Sequence, residues 1–282
     1  MKVLVTGANG QLGYDVVKEL KLQNIECYGA TRKDFDLCNF FIMEKFITEY
    51  NPDVIIHCAA YTAVDKAEDE PEVCRAVNAG GTENIAKICK KIDAKMLYIS
   101  TDYVFDGTKV GHYEVDDLPN PINVYGKTKL EGERAVQKIL DKYFIVRISW
   151  VFGQNGNNFV KTMIRLGKER KEINIVSDQI GCPTYTVDLA ELLVDMVQTD
   201  KYGIYHVTNA GECSWAEFAE EIFKNVGMAV TVKYIFSEEY PTKAKRPRNS
   251  RLSKKTLEDK NFYLLESWKK ALNKFLKEVR ND

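Results

Sequence analysis

A tyrosine and a lysine stand four residues apart in the segment VYGKTK, at positions 125 and 129. On a helix, residues i and i+4 share one face, so Tyr125 and Lys129 would be neighbours. A phenol titrates near pH ~10 and transfers protons poorly at neutral pH unless a cation stabilises its phenolate. Lys129 supplies such a cation. Taken alone, the pair fits an exposed helix start as well as a proton-transfer site.

Hydroxyl groups precede this pair in the segment STDYVFDG, which ends a buried strand pattern at residues 100–107. Thr101, or Ser100 beside it, could hydrogen-bond a substrate carbonyl oxygen and polarise it. Tyr125 could protonate that oxygen while a hydride reaches the carbonyl carbon, and Lys129 could also bind a nicotinamide ribose. The combination indicates the reduction of a carbonyl group.

A glycine-rich turn follows the first strand pattern, in TGANGQLG at residues 6–13. Gly7, Gly10 and Gly13 are spaced G-x-x-G-x-x-G, unlike the common G-x-G-x-x-G fingerprint, but the physical role is shared. Glycines permit the tight turn and let backbone N–H groups approach a pyrophosphate, and the helix N-terminus adds partial positive charge. The turn therefore predicts a dinucleotide site.

The type of dinucleotide is indicated by TRKDFDL, which follows the second strand pattern. An acidic residue here would bind the ribose 2′-hydroxyl of NAD, whereas a cation can pair with the 2′-phosphate of NADP. Arg32 and Lys33 come first, and Arg32 could bind a phosphate bidentately. Asp36 and Leu37 could lie beside the adenine. We predict NADPH, with NADH as the alternative.

Alternating strand and helix patterns must position these residues. Strands are predicted at 2–6, 26–30, 54–59, 95–100 and 143–149, and helices at 11–22, 39–50, 71–92 and 124–140. This alternation of apolar strands with helices predicts an α/β fold, a Rossmann-like doubly wound parallel sheet covered on both faces. Ligands bind at the carboxyl edge of such a sheet, where the candidate residues would meet.

The pattern changes after residue 150. Helices are predicted at 158–170, 187–199 and 267–280, and strands at 173–177, 203–209 and 231–236. The S-x-x-E spacing of Ser214 and Glu217 predicts a capping box for the intervening helix. We predict a second, smaller α/β substrate-binding region. The expected dinucleotide-binding domain comprises 1–155 and about 183–200, and the second domain comprises about 156–182 and 201–282.

The composition limits the class of protein. The 282 residues are 45% hydrophobic and 29% charged, with a net charge of −1, so nucleic acid and anionic membranes are not expected partners. Seven scattered cysteines, with no C-x-x-C pair, fit reduced thiols rather than disulfides or zinc. No signal-peptide pattern or apolar run of membrane-spanning length occurs, and we expect a cytoplasmic location.

Seven segments extend these motifs over essentially the whole chain: TGANGQLG, AAYTAVDKAE, STDYVFDG, VYGKTKLEGE, RISWVFG, IGCPTYTVDLA and RPRNSRL. In this order and spacing they resemble the extended short-chain dehydrogenase/reductase family, within it the enzymes that reduce a 4-keto deoxysugar carried on dTDP. The resemblance implies NADPH-dependent conversion of dTDP-4-dehydro-L-rhamnose to dTDP-L-rhamnose for a polysaccharide. The Y-x-x-x-K pair is weakly specific, whereas AAYTAVDKAE and STDYVFDG are far more specific.

The resemblance also implies roles for single residues: Tyr125 as proton donor, Lys129 as its activator and ribose ligand, and Thr101 as the carbonyl hydrogen-bond donor. The implied substrate contacts are Thr101, Asp102, Tyr103, Tyr125, Trp150 and, for the diphosphate, Arg246 or Arg248. The implied cofactor contacts are Gly7, Gly10, Gln11, Leu12, Gly13, Arg32, Asp36, Leu37, Ala59, Ala60, Tyr61, Tyr125 and Lys129.

Some bacterial members of that family bind magnesium at a dimer interface, through acidic residues near position 180 and at the C-terminus. Here the first region offers Asp188 and Glu191, but the tail LKEVRND has mostly basic neighbours. We therefore predict no metal, and either a monomer or a homodimer.

Two other functions stay open. An epimerase or dehydratase of the same superfamily would regenerate its cofactor, and a dehydratase would carry further acidic residues after Thr101, where no glutamate follows Asp102. A non-catalytic dinucleotide-binding regulatory subunit, resembling that of a eukaryotic methionine adenosyltransferase, would not need Thr101, Tyr125 and Lys129 together.

Overall fold

The computed structural model describes residues 1–281 of the chain and the side chains of residues 1–279. Its strands are β1 (Lys2–Thr6), β2 (Glu26–Ala30), β3 (Val54–His57), β4 (Lys95–Thr101), β5 (Tyr143–Ile148), β6 (Val151–Phe152), β7 (Glu172–Val176), β8 (Ile180–Gly181), β9 (Thr184–Tyr185), β10 (Gly203–His206), β11 (Cys213–Ser214), β12 (Thr231–Ile235) and β13 (Asn249–Ser250). Its α-helices are α1 (Gln11–Leu22), α2 (Phe40–Tyr50), α3 (Val64–Ala67), α4 (Pro71–Arg75), α5 (Thr82–Ile92), α6 (Val124–Ile139), α7 (Phe159–Glu169), α8 (Thr186–Val197), α9 (Trp215–Val226), α10 (Lys255–Asp259) and α11 (Trp268–Asn281).

A six-stranded parallel sheet of order β10-β5-β4-β3-β1-β2 forms the centre of the molecule. Apolar side chains of α1 and α8 pack on one face, and those of α2, α5 and α6 pack on the other. The predicted Rossmann-like doubly wound fold is confirmed. The strand order reverses between β1 and β3, which is the point where ligands bind in open α/β sheets.

Two features differ from the sequence prediction. The sequence pattern predicts the strand at 203–206 within the substrate-binding region. In the structure it pairs with β5 and is the sixth strand of the central sheet. The chain between β5 and β10, which includes α8, is the crossover that connects these two parallel strands. Tyr205 of β10 is buried in the main core. The helix predicted at 71–92 is interrupted by a π-helix at Ala76–Gly81, which separates α4 from α5.

A second hydrophobic cluster is formed by α7, α9, α11 and the paired strands β7 and β12. A small sheet of order β11-β8-β13 lies beside it. The predicted capping box of α9 is confirmed, because Ser214 Oγ accepts from the Glu217 amide at 3.1 Å and Glu217 Oε2 accepts from the Ser214 amide at 2.7 Å. Within residues 1–281, no helix is long and apolar enough to cross a membrane.

Candidate active site

The start of α6 is fixed against the turn that follows β4. Asn123 caps the helix, its side chain accepting a hydrogen bond from the Gly126 amide at 2.7 Å. A Cβ on Gly126 would lie 2.1 Å from the Tyr103 carbonyl oxygen, so only glycine allows this backbone contact. The close approach places Tyr125 beside Tyr103, with their rings edge-to-face at 5.8 Å.

Thr101, rather than Ser100, faces Tyr125. Burial and the nearby Asp102 carboxylate raise the pKa of the Tyr125 phenol, while a hydrogen bond from the Thr101 hydroxyl opposes this rise. Thr101 Oγ1 donates to Asp102 Oδ1 at 2.9 Å and accepts from the Tyr103 amide at 3.2 Å. Burial raises the pKa of Asp102 to about 6, and hydrogen bonds from the hydroxyl groups of Ser250 and Thr101 reduce this rise.

Lys129 is 2% exposed and lies one turn below Tyr125 on the inner face of α6. Its Nζ donates to the Ile99 carbonyl oxygen at 2.7 Å and lies 4.0 Å from the centre of the Tyr98 ring. Burial lowers the pKa of Lys129 to about 7, while Glu133 opposes this shift. The sequence predicts that Lys129 acidifies Tyr125, whereas here burial dominates both groups and keeps the phenol protonated.

The glycine turn forms a cradle that side chains would fill. A Cβ on Gly13 would lie 2.3 Å from the Gly7 carbonyl oxygen, and one on Gly7 would lie 2.8 Å from the Ala59 backbone. Gly7 also has a φ of +69°. The N-cap of α1 is Gly10, which offers no side chain to the first amide groups of the helix. These amides, with Gln11 and Leu12 in the first turn, fit a pyrophosphate.

The loop after β3 carries Ala59, Ala60 and Tyr61 to the same edge. The Ala59 amide donates to Thr6 Oγ1 at 3.2 Å, and the buried Asn78 side chain bonds the Tyr61 amide at 2.8 Å and its carbonyl at 3.1 Å. Asn78 lies in the π-helix, so the irregular turn holds the loop in place. Sequence reasoning missed Asn78, because a lone asparagine within a helical pattern gives no sign of its partner.

The turn after β2 leaves Arg32 exposed. Asp34 is occupied inside the turn, where Oδ2 accepts from the Thr31 amide at 2.7 Å and Oδ1 accepts from the Tyr28 hydroxyl at 2.7 Å. Asp36 accepts from the Cys38 amide at 2.9 Å, and Leu37 packs over Gly81. The nearest carboxylate to Arg32 in sequence is therefore engaged locally.

The two predicted diphosphate ligands have carboxylate partners. Arg246 binds both oxygens of Asp65, at 3.1 and 2.6 Å, and interacts with Tyr103. Arg248 is more exposed and contacts Glu238 and, at 3.6 Å, Asp178. The motif AAYTAVDKAE includes Asp65, which the sequence analysis left without a role.

Trp150 follows β5 and is half-buried, with its ring stacked on Trp215. In the loop between β6 and α7, the Asn155 side chain donates to the carbonyl oxygens of Asn9 and Gly10 at 2.8 and 3.2 Å. This contact with the glycine turn was also missed, because the two segments are far apart in sequence.

Asp188 and Glu191 lie on α8. The Asp188 carboxylate accepts from Asn209 at 2.8 Å and from Lys274 at 3.3 Å. Among the residues that the structure describes, no group of three histidine, cysteine, aspartate or glutamate side chains could hold a metal ion.

Comparison with known proteins places this geometry in a family. Residues 1–281 match the model of the RmlD substrate binding domain. The chain belongs to this family. A dTDP-4-dehydrorhamnose reductase from Aggregatibacter actinomycetemcomitans is 40% identical over 96% of this chain and 97% of its own length.

Other proteins are similar over nearly the whole chain. The spore coat polysaccharide biosynthesis protein SpsK of Bacillus subtilis is 39% identical over 98% of this chain and 97% of its own length. A crystal structure of dTDP-4-dehydrorhamnose reductase from Bacillus anthracis, in complex with NADP, superposes with a TM-score of 0.96 at 45% identity, covering 99% of this chain and all of that one.

Proposed function

We propose that the chain reduces the 4-keto group of dTDP-4-dehydro-L-rhamnose to give dTDP-L-rhamnose, with NADPH as the reductant. The proposal is carried by the half-buried Tyr125, whose phenol faces the Thr101 hydroxyl at the carboxyl edge of a dinucleotide-type sheet. The names of the relatives support the same activity, and the relative from Bacillus subtilis supports use of the product in a polysaccharide.

The bound cofactor would supply a hydride to the carbonyl carbon. Thr101, whose hydroxyl donates to Asp102 in this structure, would turn that proton to the carbonyl oxygen, and Tyr125 would give the same oxygen its proton. Burial raises the pKa of Tyr125 and makes the phenol a weaker acid, but the alkoxide that forms on hydride transfer is a stronger base than a phenolate and can still take its proton. Lys129 would bind the ribose.

The remaining cofactor contacts follow from the cradle. Its amides and those of Gln11 and Leu12 would bind the pyrophosphate, and Ala59, Ala60 and Tyr61 would border the dinucleotide. The exposed Arg32 would bind the 2′-phosphate, which favours NADPH over NADH.

Asp102, Tyr103 and Trp150 would line the sugar. We assign the diphosphate to Arg248, since it is 63% exposed, and an orienting role to Arg246, which is tied to Asp65 and Tyr103. We further propose that β10 belongs with 1–155 and 183–200 in the dinucleotide-binding unit, and that the rest of 156–282 binds the sugar nucleotide. We also propose that the enzyme works in the cytoplasm, as a monomer or a homodimer.

The test is turnover of the keto-sugar nucleotide by the purified protein, measured as nicotinamide oxidation with NADPH and with NADH in parallel. We expect faster turnover with NADPH. No oxidation of either cofactor would contradict the proposal, and sugar interconversion without net oxidation would instead indicate an epimerase.

Tyr125→Phe is the matched variant for this assay. Loss of the phenolic proton should lower kcat by roughly 10²–10⁴-fold while leaving NADPH affinity close to that of the wild type. Wild-type turnover by this variant would show that another group donates the proton.

A further inference from the structure

Trp150 has a backbone conformation that bulky residues rarely adopt. Its φ is +49°, and the other described non-glycine residues with positive φ are Asn24, Asn51, Asp93 and Asn261. Asparagine and aspartate tolerate this region, whereas a tryptophan there is strained. Such strain persists only where neighbouring groups hold the residue, and it concentrates at functional sites.

Trp215 supplies the main restraint. The two indole rings are nearly parallel, with centroids 3.6 Å apart and an angle of 9° between their planes. Gly181 makes room for the Trp150 ring, since a Cβ there would lie 2.5 Å from Cε2 of the indole. The Trp150 carbonyl oxygen accepts from the Thr184 amide at 3.1 Å, which fixes the backbone as well.

Trp215 is itself held firmly. It is the first residue of α9, directly after the capping residue Ser214, and Phe159 packs against it with ring centroids 4.6 Å apart. Cys213 pairs with Gly181 in the small sheet. The pairing of β11 with β8 therefore positions both Trp215 and the glycine that makes room for the Trp150 ring.

The stack lies close to the chemistry. Ile148 at the end of β5 is the register partner of Thr101 at the end of β4, and Trp150 comes two residues after Ile148. The indole therefore leaves the central sheet at the edge where Thr101 and Tyr125 meet. Trp215 covers one face of the Trp150 ring and fixes the position of that ring. The accessible part of the ring can therefore contact a ligand only at this fixed position.

We infer that Trp215 is a positioning residue: by stacking on Trp150 it holds that indole as a rigid apolar wall, against which the deoxysugar is aligned for protonation by Tyr125. This inference rests on the proposed reductase function. Trp215 acts through Trp150, so its loss should misplace the sugar without disturbing the cofactor. Misplacement of reacting groups by about 1 Å can lower rates ~10²-fold.

The test compares Trp215→Ala with Trp215→Phe, which keeps a flat partner. Hydride transfer is measured in single turnover with saturating NADPH, together with NADPH affinity and the KM for the keto sugar. We expect Trp215→Ala to slow hydride transfer about 10- to 100-fold, with NADPH affinity within about twofold of the wild type. Trp215→Phe should recover most of the rate.

Circular dichroism reports on the stack itself. Closely stacked indoles couple their transitions, and the chain has only two other tryptophans besides Trp215, namely Trp150 and Trp268. The coupled signal should vanish in Trp215→Phe and in Trp150→Phe, and persist in the control Trp268→Phe, which alters a buried core residue.

Gly181→Ala provides an independent variant in case Trp215→Ala fails to fold. The new methyl group displaces the Trp150 ring while leaving Trp215 intact, and the same slowing is expected. A wild-type hydride-transfer rate in Gly181→Ala or Trp215→Ala, with the coupled signal lost, would overturn the inference. Absence of turnover by the wild type would instead contradict the proposed function.

Discussion

Glu133 of α6 and Arg147 of β5 form a fully buried ion pair. Glu133 Oε1 and Oε2 accept from Arg147 Nε and Nη2 at 2.9 and 2.8 Å, with side chains 1% and 2% exposed. Glu133 is one turn beyond Lys129, and it favours the charged form of that lysine. The pair joins α6 to β5, and thus links two elements that bear proposed site residues.

Replacement of Glu133 by alanine should lower the free energy of unfolding by about 3–5 kcal/mol, because it leaves a buried guanidinium unpaired. Urea unfolding measures the change. The matched control is Glu169→Ala, which removes an exposed partner of Arg165 and should cost at most about 0.5 kcal/mol. Similar losses in both variants would mean that burial of the first pair is not the cause.

Gly13→Ala should abolish high-affinity NADPH binding, because the added methyl group meets the Gly7 carbonyl oxygen at 2.3 Å and displaces the cradle. The control is Gly80→Ala, where the nearest atom lies 4.0 Å from the added group. Titration by fluorescence or calorimetry distinguishes them. Unchanged affinity in Gly13→Ala would place the cofactor elsewhere.

Arg32→Ala should raise the KM for NADPH roughly tenfold or more while leaving that for NADH nearly unchanged. The exposed guanidinium would contact only the 2′-phosphate, and a charge-assisted hydrogen bond contributes about 1.5–3 kcal/mol. Steady-state kinetics with both cofactors measure the ratio. An equal effect on NADH would assign Arg32 a role other than phosphate recognition.

The two buried histidines, His57 and His206, should each destabilise the protein as the pH drops from about 6.5 towards 3, while the raised pKa of Asp102 acts in the opposite direction. Burial lowers the pKa of His57, and also that of His206, to about 3, while both histidines titrate near the ordinary value of 6.5 when unfolded. Between these values the unfolded chain binds more protons, so acid favours unfolding. At pH 5 each histidine should contribute a loss of about 2 kcal/mol relative to neutral pH, at ~1.4 kcal/mol per pKa unit.

Urea midpoints at pH 7 and pH 5 test this dependence. His57→Gln keeps a polar side chain between Thr6 and Thr82 but cannot titrate, so the difference between the two pH values should shrink. The change in stability between pH 7 and pH 5 is compared between the variant and the wild type, because the variant also changes the stability at pH 7. An unchanged slope would mean that His57 remains accessible to protons in the folded protein.

The sequence predicted the fold well where local patterns are strong. Each of the first five strands was found close to its predicted range, because continuous apolar runs between helices leave few alternatives. The sequence did not show that 203–206 pairs with β5, because a short strand carries no mark of the sheet that it joins. Its partner β5 lies about 60 residues earlier in the chain.

Single site residues were harder to interpret than motifs. Thr101 and Tyr125 face each other, and Lys129 binds the Ile99 carbonyl oxygen two residues before Thr101, because strand ends and helix starts of an α/β sheet converge at one edge. The electrostatics could not be foreseen, since the pKa of Tyr125 depends on its burial and on Asp102. Asn78 and Trp215 act through partners that only tertiary structure brings near.

Because β10 completes the central sheet from late in the sequence, shortened fragments and the growing nascent chain both lack this strand. A fragment that ends at residue 200 would lack this strand, leaving an open hydrogen-bonding edge along β5 and an uncovered core around Val146. Unpaired edges of this kind promote aggregation. During synthesis, the central sheet is completed only after more than two-thirds of the protein has been translated, so the edge of β5 stays unpaired until then.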